Sequence, residues 1–257
     1  MGEYFENDIL DVRQQYTGRK DLTFIIQGKM VDRDLLIRNI RNLCRYGKVV
    51  LAIWDITPGL DEAKILDYIR LNRINNEQNV YLQVYTTLNG LNSVNTPFVI
   101  KVRADEYYSN FNPLIDRMNG NLNKIITTNI FFRKTVTHPY HISDHIIGGL
   151  REHVQKMFTN CKRMLESKKS FRMITRGIPE QWLTVGYLLS YYTEDDLKKD
   201  PKGKMISHFN VVNVVDFEEF TFVYTQHFRG KKIKKSVTNG NMSEIKNVID
   251  INSIEEI

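Results

Sequence analysis

Short hydrophobic runs alternate with amphipathic segments along the first half of the chain. Hydrophobic runs of about four to eight residues are typical of strands buried on both faces, and apolar residues at every third or fourth position are typical of helices. The pattern predicts strands at 22–28, 48–54, 97–102 and 124–128, and helices at 32–46, 61–71, 79–91 and 111–118. A strand, a helix and a second strand in close succession place the two strands parallel. We therefore expect an α/β fold with a mostly parallel central sheet flanked by helices.

The second half of the chain, after residue 130, has a different pattern. An irregular stretch at 131–141 is followed by a segment at 143–149 that leads into a predicted helix at 150–165. Another helix is predicted at 178–192, and β-like segments follow at 211–215 and 220–224. We expect the residues that determine substrate specificity to lie in this second half, which combines helices and β-segments.

The length and composition favour one globular domain. The chain has 257 residues, of which 42% are hydrophobic and 26% charged, so it can bury a large core and is not globally disordered. We predict an N-terminal extension, two halves of a single domain and a C-terminal tail, with bounds at 1–20, 21–130, 131–240 and 241–257.

Features that would place the protein in or across a membrane are missing from the sequence. No hydrophobic run approaches the roughly 20 residues of a membrane span, and the acidic start has no apolar signal region. Cys44 and Cys161 are too few for a disulfide framework, which favours reduced thiols. The sequence therefore predicts a cytoplasmic protein, in the host cytoplasm if the chain is viral.

The chain carries a modest excess of positive charge, with a formal net charge of +6. Such an excess can attract nucleic acid, an anionic membrane surface or a phosphorylated substrate. Much of it lies in one basic run near the C-terminus, formed by Arg229, Lys231, Lys232, Lys234 and Lys235. The simplest interpretation of this run is a solvated tail.

Several common ligand and catalytic motifs are also missing. The sequence has neither the glycine fingerprint of dinucleotide-binding folds nor a P-loop, and no nucleophile elbow of the α/β-hydrolases. No clustered Cys/His pattern predicts a structural zinc site. No RNA-recognition signature accompanies the aromatic residues.

Polar residues at the ends of the predicted strands are the remaining candidates. Ligands of open α/β sheets bind beyond the carboxyl ends of the strands, where this chain has Gln27 and Gly28, Trp54 and Asp55, and Arg103, Asp105 and Glu106. Carboxylates suit Mg²⁺ or Mn²⁺, which usually bridge to a diphosphate. The pattern fits a metal-held nucleotide sugar, although residues 103–106 taken alone fit a charged surface turn better.

Taken together, these pieces resemble a GT-A type glycosyltransferase and, more narrowly, the WavE-type lipopolysaccharide-synthesis family. The resemblance covers roughly residues 20 to 195, and its pieces occur in the family's order: 22–28, 49–54, 79–91, 98–106, 142–145 and 179–183. Two regions depart from it. The segment between Ala63 and Asn79 keeps only Asn79 and Gln83 of the family's usual stretch, and the C-terminal third matches nothing in the family.

The resemblance implies roles for the strand-end residues. It places the 21–130 half at a nucleotide-sugar donor, most simply a UDP-sugar, and the 131–240 half at a glycan acceptor. Gln27, Gly28 and Asp55 would contact the base or ribose, with Trp54 beside them. The metal, Mn²⁺ or Mg²⁺, would be held by Asp105 and completed by a late histidine, His227 or else His145. Arg103 would either bind a phosphate or fix Asp105, and Glu106 would support the site or lie on the surface.

The reaction also needs a group that takes the proton of the acceptor hydroxyl, and an inverting enzyme uses a carboxylate or histidine for this. The two candidates are Glu180, favoured as the base, and Asp144, favoured as a ligand of the acceptor sugar. Each has a simpler alternative, since Glu180 suits the first turn of a helix and Asp144 suits a helix N-cap. The basic run would act as a lid over the diphosphate.

Two other functions compete with glycosyl transfer. A sugar nucleotidyltransferase has a similar fold, but its first strand is usually followed by a Gly- and Arg-rich loop, and here only Gly28 and Lys29 follow. A basic nucleic-acid-binding protein would explain the basic run, yet aromatic platforms and helix-turn-helix signals are missing. We therefore expect no nucleic-acid partner.

Overall fold

The structure is a computed structural model that describes residues 17–54, 68–70, 79–130, 132–133, 135, 138–167, 178–228 and 231–238. It describes the backbone alone at residues 54, 68–70, 79, 222, 224–228 and 231–238.

Strands and helices alternate through the first half of the described chain. The strands are β1 (Arg19–Lys29), β2 (Gly47–Trp54), β3 (Tyr68–Arg70), β4 (Phe98–Arg103), β5 (Glu106–Tyr108), β6 (Ile125–Thr128), β7 (Ile147–Leu150), β8 (Phe209–Val212), β9 (Phe220–Phe228) and β10 (Lys231–Thr238). The helices are α1 (Arg33–Leu43), α2 (Asn79–Asn92), α3 (Asn112–Asn119), α4 (Arg151–Glu166), α5 (Pro179–Leu188), α6 (Glu194–Leu197) and α7 (Pro201–His208), and a 3₁₀ turn spans Val214–Phe217.

The main sheet has seven strands in the order β3-β2-β1-β4-β7-β6-β8. β1 pairs in parallel with β2 and with β4, β2 pairs in parallel with β3, and β6 pairs in parallel with β8. β7 runs antiparallel to both β4 and β6. This arrangement confirms the predicted α/β class with a mostly parallel central sheet.

Strand register brings the carboxyl ends of the central strands together. Gln27 of β1 is paired with Arg103 of β4, and Lys29 of β1 is paired with Trp54 of β2. Gln27, Trp54 and Arg103, which the sequence predicted to meet at one edge, therefore do meet there.

Hydrophobic side chains cover both faces of the sheet. Ile25 belongs to one core cluster, which includes α2, α4 and α5, whereas Phe24 and Ile26 belong to the other, which includes α1 and α3. This alternation follows from the period of two in a strand. At Gly90 of α2 a Cβ would lie only 2.5 Å from Cγ2 of Ile25, so glycine allows this helix to approach β1 closely.

Several short strands were misassigned from the sequence, missed, or given other bounds, among them β5, which was not predicted. Tyr68–Arg70 is a strand that pairs with β2, not the end of a helix; the rest of the helix predicted at 61–71 lies outside the described residues. The segment predicted to lead into a helix does so, since α4 begins at Arg151, but its last residues form β7, whose Gly148 and Gly149 hide any alternation of apolar residues. The predicted segment at 211–215 divides into β8 and the 3₁₀ turn.

The interpretation of the basic run as a solvated tail is wrong for its lysines. Lys231–Thr238 forms β10, which pairs antiparallel with β9, and β9 in turn pairs with β5. The lysine-rich sequence of β10 does not predict a strand, and the strand is formed by backbone pairing with β9. The small sheet β10-β9-β5 thus begins where β4 ends. The predicted tail at 241–257 lies outside the described residues.

Candidate active site

The site is built on the turn that follows β4. The amide of Ala104 donates to the carbonyl of Gln27 at 2.8 Å, which joins this turn to the end of β1. Gly28 has a φ of 118°, which favours glycine over any residue with a Cβ. The buried side chain of Gln27 accepts a hydrogen bond from the hydroxyl of Thr86 at 3.1 Å, so α2 fixes its orientation.

Arg103 holds the two acids of the turn. Its Nε and one Nη donate to the two carboxylate oxygens of Asp105 at 2.9 and 2.8 Å, a bidentate pair. Nε also lies 2.8 Å from Oε1 of Glu106. The contact by which Arg103 would fix Asp105 is therefore present, and binding of a phosphate by Arg103 stays a prediction.

Glu106 is a buried carboxylate with several partners. The hydroxyl of Tyr108 donates to its Oε2 at 2.8 Å, and Nδ1 of His145 lies 2.5 Å from its Oε1. Burial raises the pKa of Glu106, but His145 and Arg103 outweigh burial and leave that pKa below its usual range. Glu106 therefore supports the site from inside and is not a surface residue.

Lys101 is a member of the site that sequence reasoning missed. This side chain of β4 is fully buried, and its ammonium donates to the backbone carbonyl of Asp144. Burial lowers the pKa of Lys101 to about 8, although the charge of Asp144 opposes the shift. In the sequence, Lys101 could have been noticed as a single lysine inside the otherwise apolar run Phe98–Val102.

Asp144 is ionised and held in place. Its Oδ2 accepts a hydrogen bond from Nε2 of Gln83 at 2.8 Å. Burial alone would raise the pKa of Asp144, but its electrostatic interactions with Lys101, His145 and Arg103 lower it to about 2. The alternative that Asp144 caps the next helix is wrong, because α4 begins at Arg151 after Leu150.

Glu180 lies in the first turn of α5, directly after Pro179. Burial and, next, the negative charge of Asp144 raise the pKa of Glu180 to about 7. Its side chain is 22% exposed, and its Oε2 lies 3.9 Å from Nε2 of His141. Its place in the first turn agrees with the simpler alternative, yet its side chain is less exposed than that of an acid on an open helix surface and lies near His141 and Asp144.

The described residues do not by themselves fit a metal site. Among them no three His, Cys, Asp or Glu side chains are grouped to hold an ion, and Arg103 already takes both carboxylate oxygens of Asp105. Of the two histidines predicted as a ligand, His145 contacts Glu106, and His227 lies in β9 with its side chain not described. The backbone of β9 contacts Asp105 through Val223, which is about 13 Å along the strand from His227.

Two of the predicted donor-site positions are described in part or not at all. The backbone of Trp54 ends β2 beside β1, but its side chain is not described. Asp55 lies outside the described residues. Gln27, Gly28 and Arg103 are thus the donor-side positions that the structure brings together.

The fold and the site define an α/β protein with a dense cluster of ionisable groups at the carboxyl edge of its sheet. Residues 57–176 match the model of a family described as WavE lipopolysaccharide synthesis, which confirms the resemblance predicted from the sequence. No curated protein matches the chain.

Among the solved structures that are similar to this chain is the apo-form glycosyltransferase GlyE of Streptococcus pneumoniae TIGR4. The identity is 12% and the TM-score is 0.42. The match covers 68% of this chain and 45% of GlyE, so the chain spans less than half the length of that protein. In the part of the chain that the structure describes, no helix has the length and apolar character needed to cross a membrane.

Proposed function

We propose that this protein is a glycosyltransferase that moves a sugar from a nucleotide-diphosphate donor to a hydroxyl of a glycan acceptor, in the synthesis of lipopolysaccharide or a related glycoconjugate. The observation that carries the proposal is the pair of carboxylates Glu180 and Asp144, of which Glu180 is partly exposed in the first turn of α5 and Asp144 is held by Gln83. They influence each other electrostatically, and their environments raise the pKa of Glu180 and lower that of Asp144. Two interacting acids whose pKa values are driven apart support an acid–base assignment.

Glu180 is the proposed proton acceptor. A base is most effective when its pKa lies near the working pH, and a value of about 7 meets that condition. Direct attack of the deprotonated hydroxyl on the sugar would invert the anomeric centre. Asp144 stays ionised, is oriented by Gln83, and is proposed to bind the acceptor sugar.

The donor is proposed to lie over the carboxyl ends of β1, β2 and β4. Gln27 and Gly28 are placed for the base or ribose, together with Trp54 and Asp55. Arg103 acts through the turn, because its bidentate pair with Asp105 holds the backbone that follows β4. A UDP-sugar is the proposed donor on the strength of the resemblance to the WavE family.

A requirement for Mn²⁺ or Mg²⁺ stays a prediction from the sequence, and it is tested separately. If Asp105 is a ligand, adding Mn²⁺ with UDP raises the thermal midpoint of the wild type but not of Asp105→Asn. Equal midpoint shifts in both proteins would show that Asp105 is not a metal ligand and that it only pairs with Arg103.

The proposed function is tested by incubating the full chain with UDP-, GDP- and dTDP-sugars and a panel of p-nitrophenyl glycosides. The expected result is an acceptor enlarged by one sugar and release of the nucleoside diphosphate. Formation of pyrophosphate from a nucleoside triphosphate and a sugar 1-phosphate would instead indicate a sugar nucleotidyltransferase. Tight, salt-sensitive nucleic-acid binding without any nucleotide-sugar turnover would contradict the enzyme altogether.

A further inference from the structure

Two buried polar side chains next to Glu180 have unused hydrogen-bonding atoms. His141 is 2% exposed and Gln181 is fully buried. Among the described residues, Nδ1 of His141 and Oε1 of Gln181 have no hydrogen-bond partner. Leaving a buried polar atom without a partner typically costs about 1–3 kcal/mol, so such atoms call for an explanation.

These side chains are held in place by their surroundings. Nε2 of Gln181 donates to the carbonyl of Pro139 at 2.6 Å, which fixes the amide and leaves its oxygen as the unpaired atom. Gln181 follows Glu180 in the first turn of α5. The ring of His141 is held with Nε2 3.9 Å from the carboxylate of Glu180. The unpaired atoms thus belong to residues that adjoin the proposed base.

The chemistry of the unpaired atoms favours a hydroxyl ligand. An amide oxygen can only accept a hydrogen bond, while a neutral imidazole nitrogen either accepts or donates according to its tautomer. Burial and the nearby Arg133 lower the pKa of His141 to about 4, so its ring is neutral at pH 7. A hydroxyl both donates and accepts, so it satisfies either atom.

The charges around the two side chains include both signs and do not call for an anionic ligand. Glu180 and Asp144 interact with each other, and Asp144 also acts on His141. Arg133 supplies a positive charge that is directed in part at His138, with Nη1 3.2 Å from Nε2 of that ring, and Lys101 and Arg103 oppose the charge of Asp144. A neutral, hydroxyl-rich molecule meets both the charge and the hydrogen-bonding pattern.

We infer that His141 and Gln181 form a subsite that binds hydroxyl groups of a neutral sugar acceptor other than the hydroxyl that attacks the donor. The inference rests on the proposed function for the identity of the attacking hydroxyl. It makes the acceptor a polyhydroxylated sugar, in contrast to an isolated alcohol such as a serine side chain or a lipid alcohol. Glu180 and the subsite then act on different hydroxyls of one molecule.

The test compares acceptors that differ by one hydroxyl. Transfer to p-nitrophenyl glycosides and to their monodeoxy derivatives is measured with the wild type, His141→Phe and Gln181→Met. At one or more positions, loss of the hydroxyl should weaken use of the acceptor by roughly three- to tenfold in the wild type, and the variants should lose this discrimination. The matched controls, His153→Phe and Gln155→Met on α4, should keep it.

Stability separates the subsite from a purely structural role. Because His141→Phe removes a buried atom that has no partner, its thermal midpoint should not fall below that of the wild type. A lower midpoint with discrimination between acceptors unchanged would overturn the inference, as would unchanged discrimination in both variants.

Binding without turnover distinguishes failure of the subsite from failure of the proposed function. Saturation-transfer NMR with the methyl glycosides of the same sugars reports binding to the full chain whether or not any sugar is transferred. Binding that is lost in His141→Phe and Gln181→Met, in a protein that transfers nothing, would support the subsite and contradict the transferase. Transfer by the wild type, together with full acceptor discrimination in both variants, would support the transferase and contradict the subsite.

Discussion

The charge of Asp144 acts on Glu180 and, after burial, is the largest cause that raises the pKa of Glu180. Asp144 itself stays ionised because Lys101, His145 and Arg103 outweigh its burial. The two acids therefore differ in protonation at neutral pH although both are largely buried. One is a fixed anion, and the other can accept a proton near pH 7.

The first prediction concerns the pH dependence of transfer. A base must be deprotonated to act, so the wild-type rate should rise with pH through about 7. Asp144→Asn removes the neighbouring negative charge, so the pKa of Glu180 should fall and the rising limb should move to lower pH. The measurement is kcat against pH at saturating acceptor. If the rising limb stays in place or moves to higher pH in Asp144→Asn, the charge of Asp144 does not raise the pKa of Glu180.

The second prediction concerns stability and pH. The pKa of Glu180 is raised from 4.5 to about 7 in the folded protein, so folding favours its protonated form. This contribution is fully present below pH 4.5 and is lost as the pH rises through about 7. Glu180→Gln should therefore be more stable than the wild type at pH 8, by up to about 3 kcal/mol, and this advantage should shrink toward pH 5.

Urea unfolding of both proteins at the two pH values measures this effect. Glu152→Gln, an exposed acid on α4, is the matched control and should show no such dependence. A Glu180→Gln advantage that is the same at pH 5 and pH 8 would mean that the carboxyl of Glu180 titrates as it does in the unfolded chain.

Much of the scaffold follows from local patterns in the sequence. Continuous apolar runs identify β1, β2 and β4, and the amphipathic segments between them identify α1 and α2. Strand register then brings Gln27 beside Arg103, which the rule for the carboxyl ends of parallel strands anticipates. These features are predictable because they depend on residues close in sequence.

The missed features depend on residues far apart in the chain. The strand β7 has glycines at its centre, and its assignment needs β4 and β6 on either side. The strand β10 is rich in lysine and is ordered by pairing with β9. The role of Lys101 becomes visible only when the loop that carries Asp144 folds over it. No local pattern contains this information.

The third prediction tests Lys101 as the cation that keeps Asp144 ionised. Lys101→Met leaves a buried carboxylate without the charge that does most to keep it ionised, so the free energy of unfolding should fall by about 3 kcal/mol or more. The rising limb of the transfer rate should also change if the variant folds, since Asp144 would then be more easily protonated. Chemical denaturation and a pH profile measure the two effects.

Lys198→Met is the matched control for Lys101→Met. Lys198 forms an exposed ion pair with Asp195 on α6, and such pairs contribute little to stability. The control should unfold close to the wild type. If Lys101→Met is as stable as this control at neutral pH, the buried ammonium is not what keeps Asp144 charged.

The most direct test of the central claim is the rate of sugar transfer by Glu180→Gln under single-turnover conditions, with donor binding measured in parallel. The amide keeps the shape of the side chain but cannot take the proton of the acceptor hydroxyl. Because general-base catalysis is typically worth ~10²–10⁴, we predict a rate lower by about 100-fold or more, with donor affinity nearly unchanged. Transfer at the wild-type rate, with only a higher acceptor requirement, would contradict the assignment of Glu180 as the base.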